Sequence, residues 1–233
     1  MTLEIKTITI NDPNYPNNLR KIENPPKVLY YSGDISLANR GRMIAIVGTR
    51  NPNKIAIEFA YNIAYELAKR KYIIVSGGAR GVDTAAHEGC LSAEGKTIAV
   101  LGSGFNHLYP EENAELFKKI ASQGLILSEH HPEFFGTKFS YTSRNRITSG
   151  LADAVLLVAS KIKGGSMNQI SVAYKQGKML LCAKKEGIYP NEGLMLARER
   201  YGAEFVEDVD DILALLKRVN KIKLSSFICE KSF

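Results

Sequence analysis

Short runs of consecutive apolar residues alternate along the chain with longer segments in which apolar residues recur at helical spacing. From residue 41 onward the runs are MIAIV, YIIV, TIAV, LIL, AVLLV and MLLC. Continuous apolar runs are typical of parallel strands that are covered on both faces. Helical spacing follows the first run at residues 53–70, NKIAIEFAYNIAYELAKR. The repeated alternation predicts an α/β fold with a doubly wound, mostly parallel sheet and helices on both faces.

Two further segments flank this pattern. Residues 1–40 are rich in Pro and Asn, which favour turns. We expect them to form an extended arm packed on the main domain, with one short strand at VLYYSG. The main domain is expected to span residues 41–220 and to end with an amphipathic helix at DVDDILALLKRVNKI. Residues 221–233 are expected to form a C-terminal tail.

Composition excludes several classes of protein. The 233 residues are 45% hydrophobic, and no apolar run approaches the roughly 20 residues that cross a bilayer. The N-terminus lacks a basic segment followed by an apolar core, so we expect a cytoplasmic protein without a secretory signal or membrane segment. The three cysteines, Cys90, Cys182 and Cys229, lack a spacing such as C-x-x-C. We expect buried or incidental thiols and no metal site.

The charge balance favours an anionic partner. The 31 Lys and Arg residues exceed the 24 Asp and Glu residues by 7, and the pI is near 9.2. Nucleic acid is the first candidate, although many basic proteins only carry solvated lysines. The position of the charge therefore matters more than its amount.

Glycine and basic residues cluster where predicted strands end. The loops there read VGTRNPN, SGGARGVD, LGSGFNHLYP, SEHHPEFFGTKFSYTSRNR and ASKIKGGS. Ligands of open α/β sheets bind beyond the carboxyl ends of the strands. Glycine lets backbone N–H groups approach a ligand, and the following helix N-terminus favours an anion. These loops predict a phosphate-binding rim, the alternative being that each glycine only permits a tight turn.

The loop SGGARGVDTAAH carries three glycines, Gly77, Gly78 and Gly81. Arg80 is expected to project from it as a planar fork for phosphate, and Asp83 or Thr84 to cap the next helix. The loop is neither a Walker A motif nor a G-x-G-x-x-G fingerprint, so we expect no dinucleotide cofactor.

The segment TKFSYTSRNR, residues 137–146, mixes cations with aromatic rings. Lys138, Arg144 and Arg146 alternate with Phe139 and Tyr141. Single-stranded nucleic acid needs cations for its phosphates and flat rings for its bases. We interpret the segment as a loop. Because Phe139 and Tyr141 are two positions apart, we expect their rings to face the same way. The alternative is a solvated basic loop with one ring in the core.

The histidines do not indicate catalysis. His87 is expected on a helix facing the sheet, where a packed or capping histidine is commoner than a base. His130 and His131 adjoin Glu129, but no further ligands complete a metal site. There is no G-x-S-x-G elbow and no cysteine beside a candidate base. The sequence therefore predicts a binding protein and not an enzyme.

Six motifs in fixed order resemble the DprA/Smf (DNA-processing protein A) family across roughly residues 15–215. They are YPNNLRKIENPPKVLYYSGD, IAIVGTRNP, VSGGARGVDTAAH, TIAVLGSGFNHLYPEEN, LILSEH and RNRITSGLADAVLLV. The resemblance implies an extended Rossmann fold that binds single-stranded DNA. It also implies a homodimer that hands incoming DNA to the RecA recombinase during natural transformation.

The same resemblance implies which residues contact DNA. Tyr141 stands where the family usually has phenylalanine, and one of Arg144 and Arg146 could be structural. The motif GGSMNQIS keeps Gly165 and Ser166 of the family's SGSLITA. The implied contacts are Thr49, Arg50, Gly77, Gly78, Arg80, Gly81, Lys138, Tyr141, Arg144, Arg146, Gly165 and Ser166. The winged-helix and N-terminal helical domains of many members find no counterpart, so we expect a minimal, Rossmann-only form.

Two other functions stay open from the sequence. The same rim could serve a nucleotide sensor or an enzyme of the LOG type, which cleaves nucleoside monophosphates. The LOG motif has a glutamate that SGGARGVDTAAH lacks, since Glu88 comes too late. A homologue recruited to another DNA-linked task, such as defence against mobile elements, would use the same surface.

Overall fold

A computed structural model of the protein describes residues 3–218 and contains a nine-stranded sheet. The strands are β1 (Lys6–Thr9), β2 (Val28–Gly33), β3 (Met43–Val47), β4 (Ile73–Ser76), β5 (Thr97–Val100), β6 (Leu125–Ser128), β7 (Ala154–Leu157), β8 (Met179–Ala183) and β9 (Glu204–Val206). The helices are α1 (Lys54–Lys69), α2 (Val82–Ser92), α3 (Ala114–Gln123), α4 (Lys138–Ser143), α5 (Asn145–Leu151), α6 (Gly165–Lys175) and α7 (Glu192–Tyr201). Residues 209–218 are also helical.

The sheet is doubly wound, as the alternating pattern predicted. Its order is β1-β2-β6-β5-β4-β3-β7-β8-β9, and the seven strands from β6 to β9 in this order are parallel. The chain builds from β3 toward β6 on one side and then crosses to β7 on the other. The loops after β3 and β7 therefore diverge at a topological switch point, where open α/β sheets bind ligands.

The burial of these strands explains why continuous apolar runs in the sequence predicted them correctly. Every residue of β3 through β7 is buried, because helices cover both faces of the sheet. Cys90 and Cys182 are buried as predicted, and burial raises the pKa of each thiol to about 12. Cys229 lies outside the described residues. No helix within residues 3–218 is long and apolar enough to cross a membrane.

The first 40 residues contribute to the sheet itself. The strand predicted at VLYYSG is β2, which pairs antiparallel with β6. β1, which has no apolar run, was not predicted and pairs with β2 from its other side. In the segment that connects β1 to β2, the buried hydroxyl of Tyr15 donates to the carbonyl of Pro26 at 2.6 Å and fixes that segment in place. The division into arm, main domain and tail stays a prediction, and the tail at 221–233 lies outside the described residues.

The segment predicted as a loop at TKFSYTSRNR contains a helix, so that part of the prediction is wrong. Thr137 caps α4 by accepting a hydrogen bond from the Ser140 amide, and the Ser140 hydroxyl accepts one from the Thr137 amide. This reciprocal capping box starts a helix without any apolar periodicity. Since two residues along a helix turn by about 200°, Phe139 and Tyr141 do not face the same way. Phe139 is exposed and Tyr141 is half-buried.

Candidate nucleic-acid interface

A cleft of about 660 Å³ opens at the switch point, beyond the carboxyl ends of β3 and β7. The loops after β3, β4, β5, β6 and β7 line it, together with the first turn of α2, the helical stretch from α4 into α5 and the start of α6. Besides glycines and Val47, the lining residues are Thr49, Arg50, Ala79, Asp83, Tyr109, Lys138, Tyr141, Thr142, Arg144, Asn145, Lys161, Lys163, Ser166 and Gln169. The predicted rim of several loops thus corresponds to one cavity.

Seven of the twelve predicted contact residues line this cleft. They are Thr49, Arg50, Lys138, Tyr141, Arg144, Gly165 and Ser166. The other five lie outside its lining: Gly77, Gly78, Arg80, Gly81 and Arg146. The structure therefore brings together residues from distant parts of the chain and gives the remaining five other contacts.

Four exposed cations give the cleft its charge. Arg50, Lys138, Lys161 and Lys163 all line it, and none forms an ion pair with any residue between 3 and 218. Asp83 is the one carboxylate in the lining, and it is buried. Unpaired cations around a concave site focus positive potential there, which attracts an anionic ligand.

Tyr141 presents its ring inside the cleft. The Arg50 guanidinium carbon lies 5.7 Å from the ring centroid, and the exposed Tyr109 ring lies 6.0 Å away. Side chains at Gly102 or Gly136 would overlap the Tyr141 ring or its hydroxyl, so both glycines are needed to seat it. Burial raises the pKa of the Tyr141 hydroxyl, which keeps the side chain neutral. A neutral ring beside a guanidinium suits stacking with a nucleobase.

The glycine loop at residues 77–81 is occupied by a side chain of the protein. Oδ2 of Asp83 accepts hydrogen bonds from the amides of Gly77 and Ala79 at 3.1 and 3.3 Å. These are the N–H groups that a phosphate cradle would use, and they already have an anionic partner. Thr84 donates to the carbonyl of Ala79 at 2.8 Å. The loop thus shapes the wall of the cleft.

Arg144 forms the floor of the cleft. Arg144 is only 6% exposed. Its Nη1 donates a long hydrogen bond of 3.4 Å to the Thr148 hydroxyl, and its Nε has no hydrogen-bond partner among the described residues. The guanidinium fills the space where a side chain at Gly77 would stand. Burial lowers the pKa of Arg144 and raises that of Asp83, and the opposite charges of the two counteract both shifts. An anion at the floor would supply the acceptors that Arg144 lacks.

The N-terminus of α6 closes the cleft on the β7 side. Its cap, Gly164, has no side chain, and a Cβ on Gly165 would meet nothing within 4 Å. The first amides of the helix are therefore open to a phosphate. Asn145 holds this end in place, since its amide nitrogen donates to Asn168 Oδ1 at 3.0 Å.

Sequence reasoning missed part of the site. Lys161 and Lys163 stand in the loop ASKIKGGS, which was counted in the predicted rim, but only Gly165 and Ser166 of this segment were named as contacts. Tyr109 and Gln169 were missed as well, because their approach to the cleft depends on tertiary packing. The two lysines directly before the Gly164-Gly165 pair were the signal that could have identified them.

Arg146 is the arginine of the RNR triplet with a structural contact. Its two Nη atoms donate to the two carboxylate oxygens of Glu129, each at 2.6 Å, and Nε donates to the Asn24 carbonyl at 3.0 Å. The bidentate pair joins α5 to the end of β6. This geometry fits the alternative that one arginine of the triplet is structural.

Replacing Arg146 by alanine is expected to lower the free energy of unfolding by about 1–2 kcal/mol, because the mostly buried Glu129 would lose its partner. Urea denaturation of the variant and the wild type measures this. DNA binding by the folded variant should stay within about twofold of wild type, so a large loss of affinity without a loss of stability would contradict this placement.

Arg80 also has a partner within the protein. Its Nη2 donates to Glu112 Oε2 at 2.7 Å, its Nε contacts the other oxygen of that carboxylate, and its guanidinium carbon lies 5.9 Å from the Tyr109 ring centroid. The pair is exposed and lies beside the cleft.

Arg80→Ala is expected to weaken DNA binding by about threefold at most, because the charge that it removes is already neutralised by Glu112. Fluorescence anisotropy with a labelled oligonucleotide checks this. A charge-assisted hydrogen bond to the ligand would contribute about tenfold or more in affinity. A loss of that size would therefore mean that Arg80 leaves Glu112 to contact the ligand.

His87 belongs to the core. Its Nδ1 lies 2.7 Å from Thr97 Oγ1, and burial lowers the pKa of the ring to about 3. The prediction of a packed histidine is confirmed. Among residues 3–218 no three His, Cys, Asp or Glu side chains are grouped to hold a metal ion.

Known proteins match the chain over most of its length. A model of the family described as DNA recombination-mediator protein A matches residues 6–217. The DNA processing protein DprA of Bacillus subtilis (strain 168) is 37% identical over 93% of this chain and 73% of that protein.

Two solved structures share the fold closely. DNA processing protein A from Streptococcus pneumoniae matches with a TM-score of 0.84 and 33% identity, over 91% of this chain and 74% of that one. The protein from Helicobacter pylori, described for its single-stranded DNA binding mode, matches with a TM-score of 0.83 and 31% identity, over 93% and 97%. The chain spans 41% of the length of Protein Smf from Synechocystis and 60% of the length of DNA processing protein DprA from Streptococcus pneumoniae.

Proposed function

Since the chain belongs to the DNA recombination-mediator protein A (DprA/Smf) family, we propose that it binds single-stranded DNA in the cleft at the switch point. The observation that carries the proposal is the set of four exposed, unpaired cations around one half-buried aromatic ring. Cations and a stacking ring in one groove are what a single strand requires. The family is described by mediation of recombination and not by a reaction, so we propose binding and not catalysis.

In this proposal each part of the cleft contacts a different part of the strand. Arg50, Lys138, Lys161 and Lys163 bind phosphates, and the open amides at the start of α6 bind one more. A base stacks on Tyr141 next to the Arg50 guanidinium, which lies over the same ring. Because that ring lies inside the cleft, a base must be unpaired to reach it, which favours single strands over duplex.

The wider activity of the family extends the proposal. We propose that the protein protects incoming DNA in natural transformation, forms a homodimer and hands the strand to the RecA recombinase. Light scattering would measure the dimer. RecA filament formation on the bound strand, with and without the protein, would test the handover separately from DNA binding.

Salt dependence gives a quantitative test of the four cations. With four phosphates neutralised, the logarithm of the affinity should fall with the logarithm of the salt concentration with a slope of about −3. The double variant Lys161→Ala/Lys163→Ala should reduce the slope to about −1.4, since each lysine accounts for about −0.7. Anisotropy titrations at several salt concentrations measure both. A slope near zero, or an unchanged slope in the variant, would contradict these contacts.

A further inference from the structure

Two phenylalanines beside the cleft are unusually exposed. Phe139 and Phe135 are 81% and 70% exposed, the highest values among the large apolar side chains of the described residues. Neither belongs to the cleft lining, but Gly136 and Lys138, their immediate neighbours in the chain, do. We call Phe135 and Phe139 the outer ring pair.

The exposure of the outer ring pair is built into the fold. The Phe135 ring stacks on the His107 ring with centroids 3.5 Å apart, and its loop is fixed by the hydrogen bond from the Gly104 amide to the Phe134 carbonyl. Phe139 stands in the first turn of α4, whose Ser140 hydroxyl donates to the Gly102 carbonyl at 2.6 Å. The local backbone therefore holds both rings outward.

The same short helix serves the cleft and the outer ring pair. Lys138, Tyr141 and Thr142 of α4 line the cleft, whereas Phe139 projects from a neighbouring face. Phe139 directly follows Lys138 in the chain, so a strand that leaves the cleft over Lys138 finds an exposed ring beside it. Exposed rings next to an unpaired cation form the combination that binds successive bases of a single strand.

We infer that the outer ring pair is a second base-stacking site, which binds nucleotides of the same strand after it leaves the cleft. This inference rests on the proposed function. A protein partner fits the surroundings less well, because Phe135 is bordered by polar groups: His107 and Asn106 both contact Glu133. Protein-binding patches are contiguous apolar areas, whereas separate rings among polar groups suit bases.

The test uses the absence of tryptophan from the sequence. Phe139→Trp and Phe135→Trp each introduce a single tryptophan whose emission reports stacking. The matched control is Tyr174→Trp, a 55% exposed ring at the far end of α6 from the cleft. Each variant is titrated with oligothymidylates of about 5 and about 25 nucleotides, lengths near the lower end of, and above, the roughly 4–16 nucleotides that one single-strand binding fold occupies.

The long oligonucleotide should quench Trp at positions 135 and 139 and leave the control unchanged, and the short one should quench neither. Phe139→Ala should weaken binding of the long oligonucleotide by about fivefold or more and leave the short one unaffected. If neither tryptophan were quenched and Phe139→Ala bound both lengths with wild-type affinity, the outer site would be overturned. Binding in the cleft would not be affected by that result. Emission that shifts with protein concentration alone would overturn it in favour of contact between protein copies. If the wild type bound neither length, the proposed function would fail as well.

Discussion

Replacing Arg50 by alanine is expected to weaken binding of an oligothymidylate by about 10- to 100-fold. Arg50 is exposed, has no ion-pair partner among residues 3–218 and lies 5.7 Å from the Tyr141 centroid. Hydrogen bonds that involve a charged group contribute about 1.5–3 kcal/mol, and 1.4 kcal/mol corresponds to tenfold in affinity. Anisotropy at one fixed salt concentration measures the loss.

Arg70→Ala is the matched control because it removes the same charge. Arg70 follows the C-terminal end of α1, at the opposite edge of the sheet, and pairs with Glu66. If binding responds only to net charge, the two variants will lose affinity equally, and the assignment of Arg50 to the site is then wrong. A loss confined to Arg50→Ala supports a local contact.

Gly81→Ala is expected to lower the free energy of unfolding by about 2–6 kcal/mol. Gly81 precedes α2 with φ +77°, a backbone conformation that side chains rarely adopt, and strain of this kind costs about 1–3 kcal/mol. A Cβ there would also lie 2.7 Å from the Thr49 carbonyl oxygen and 2.9 Å from that of Arg50. Overpacking against backbone adds about 1–3 kcal/mol. Urea denaturation measures the sum.

Gly177→Ala is a control that separates the cost of backbone strain from the cost of steric overlap with neighbouring atoms. Gly177 has φ +65°, but a Cβ there meets nothing within 4 Å, so it should lose only about 1 kcal/mol. Because the Arg50 backbone must move to admit a side chain at position 81, folded Gly81→Ala should also bind DNA more weakly. Equal destabilisation by the two variants would show that the contact with the Arg50 loop is unimportant.

The central sheet could be predicted because its strands are buried on both faces. MIAIV and AVLLV read as continuous apolar runs for that physical reason, and they became the neighbouring strands β3 and β7. The loops at their carboxyl ends could therefore be assigned to one edge of the sheet. β1 and β9, at the edges of the sheet, lack such runs and were missed.

The details of the site depend on contacts that no local pattern carries. α4 starts from a capping box between Thr137 and Ser140, without apolar periodicity, so the facing of Phe139 was predicted wrongly. The pairing of Arg146 with Glu129 joins residues 17 positions apart and depends on tertiary packing. The composition of the glycine loop indicated an anion, but it could not reveal that the Asp83 carboxylate occupies its amides.

The most direct test of single-strand binding in the cleft is competition. A labelled oligothymidylate of about 25 nucleotides, longer than the roughly 4–16 nucleotides that one single-strand binding fold occupies, is titrated with the protein and challenged with duplex DNA and with AMP. We predict salt-sensitive binding that neither competitor displaces at equal nucleotide concentration. Displacement by AMP, or no binding of the oligonucleotide, would make the same cleft a small-nucleotide pocket and contradict the assignment.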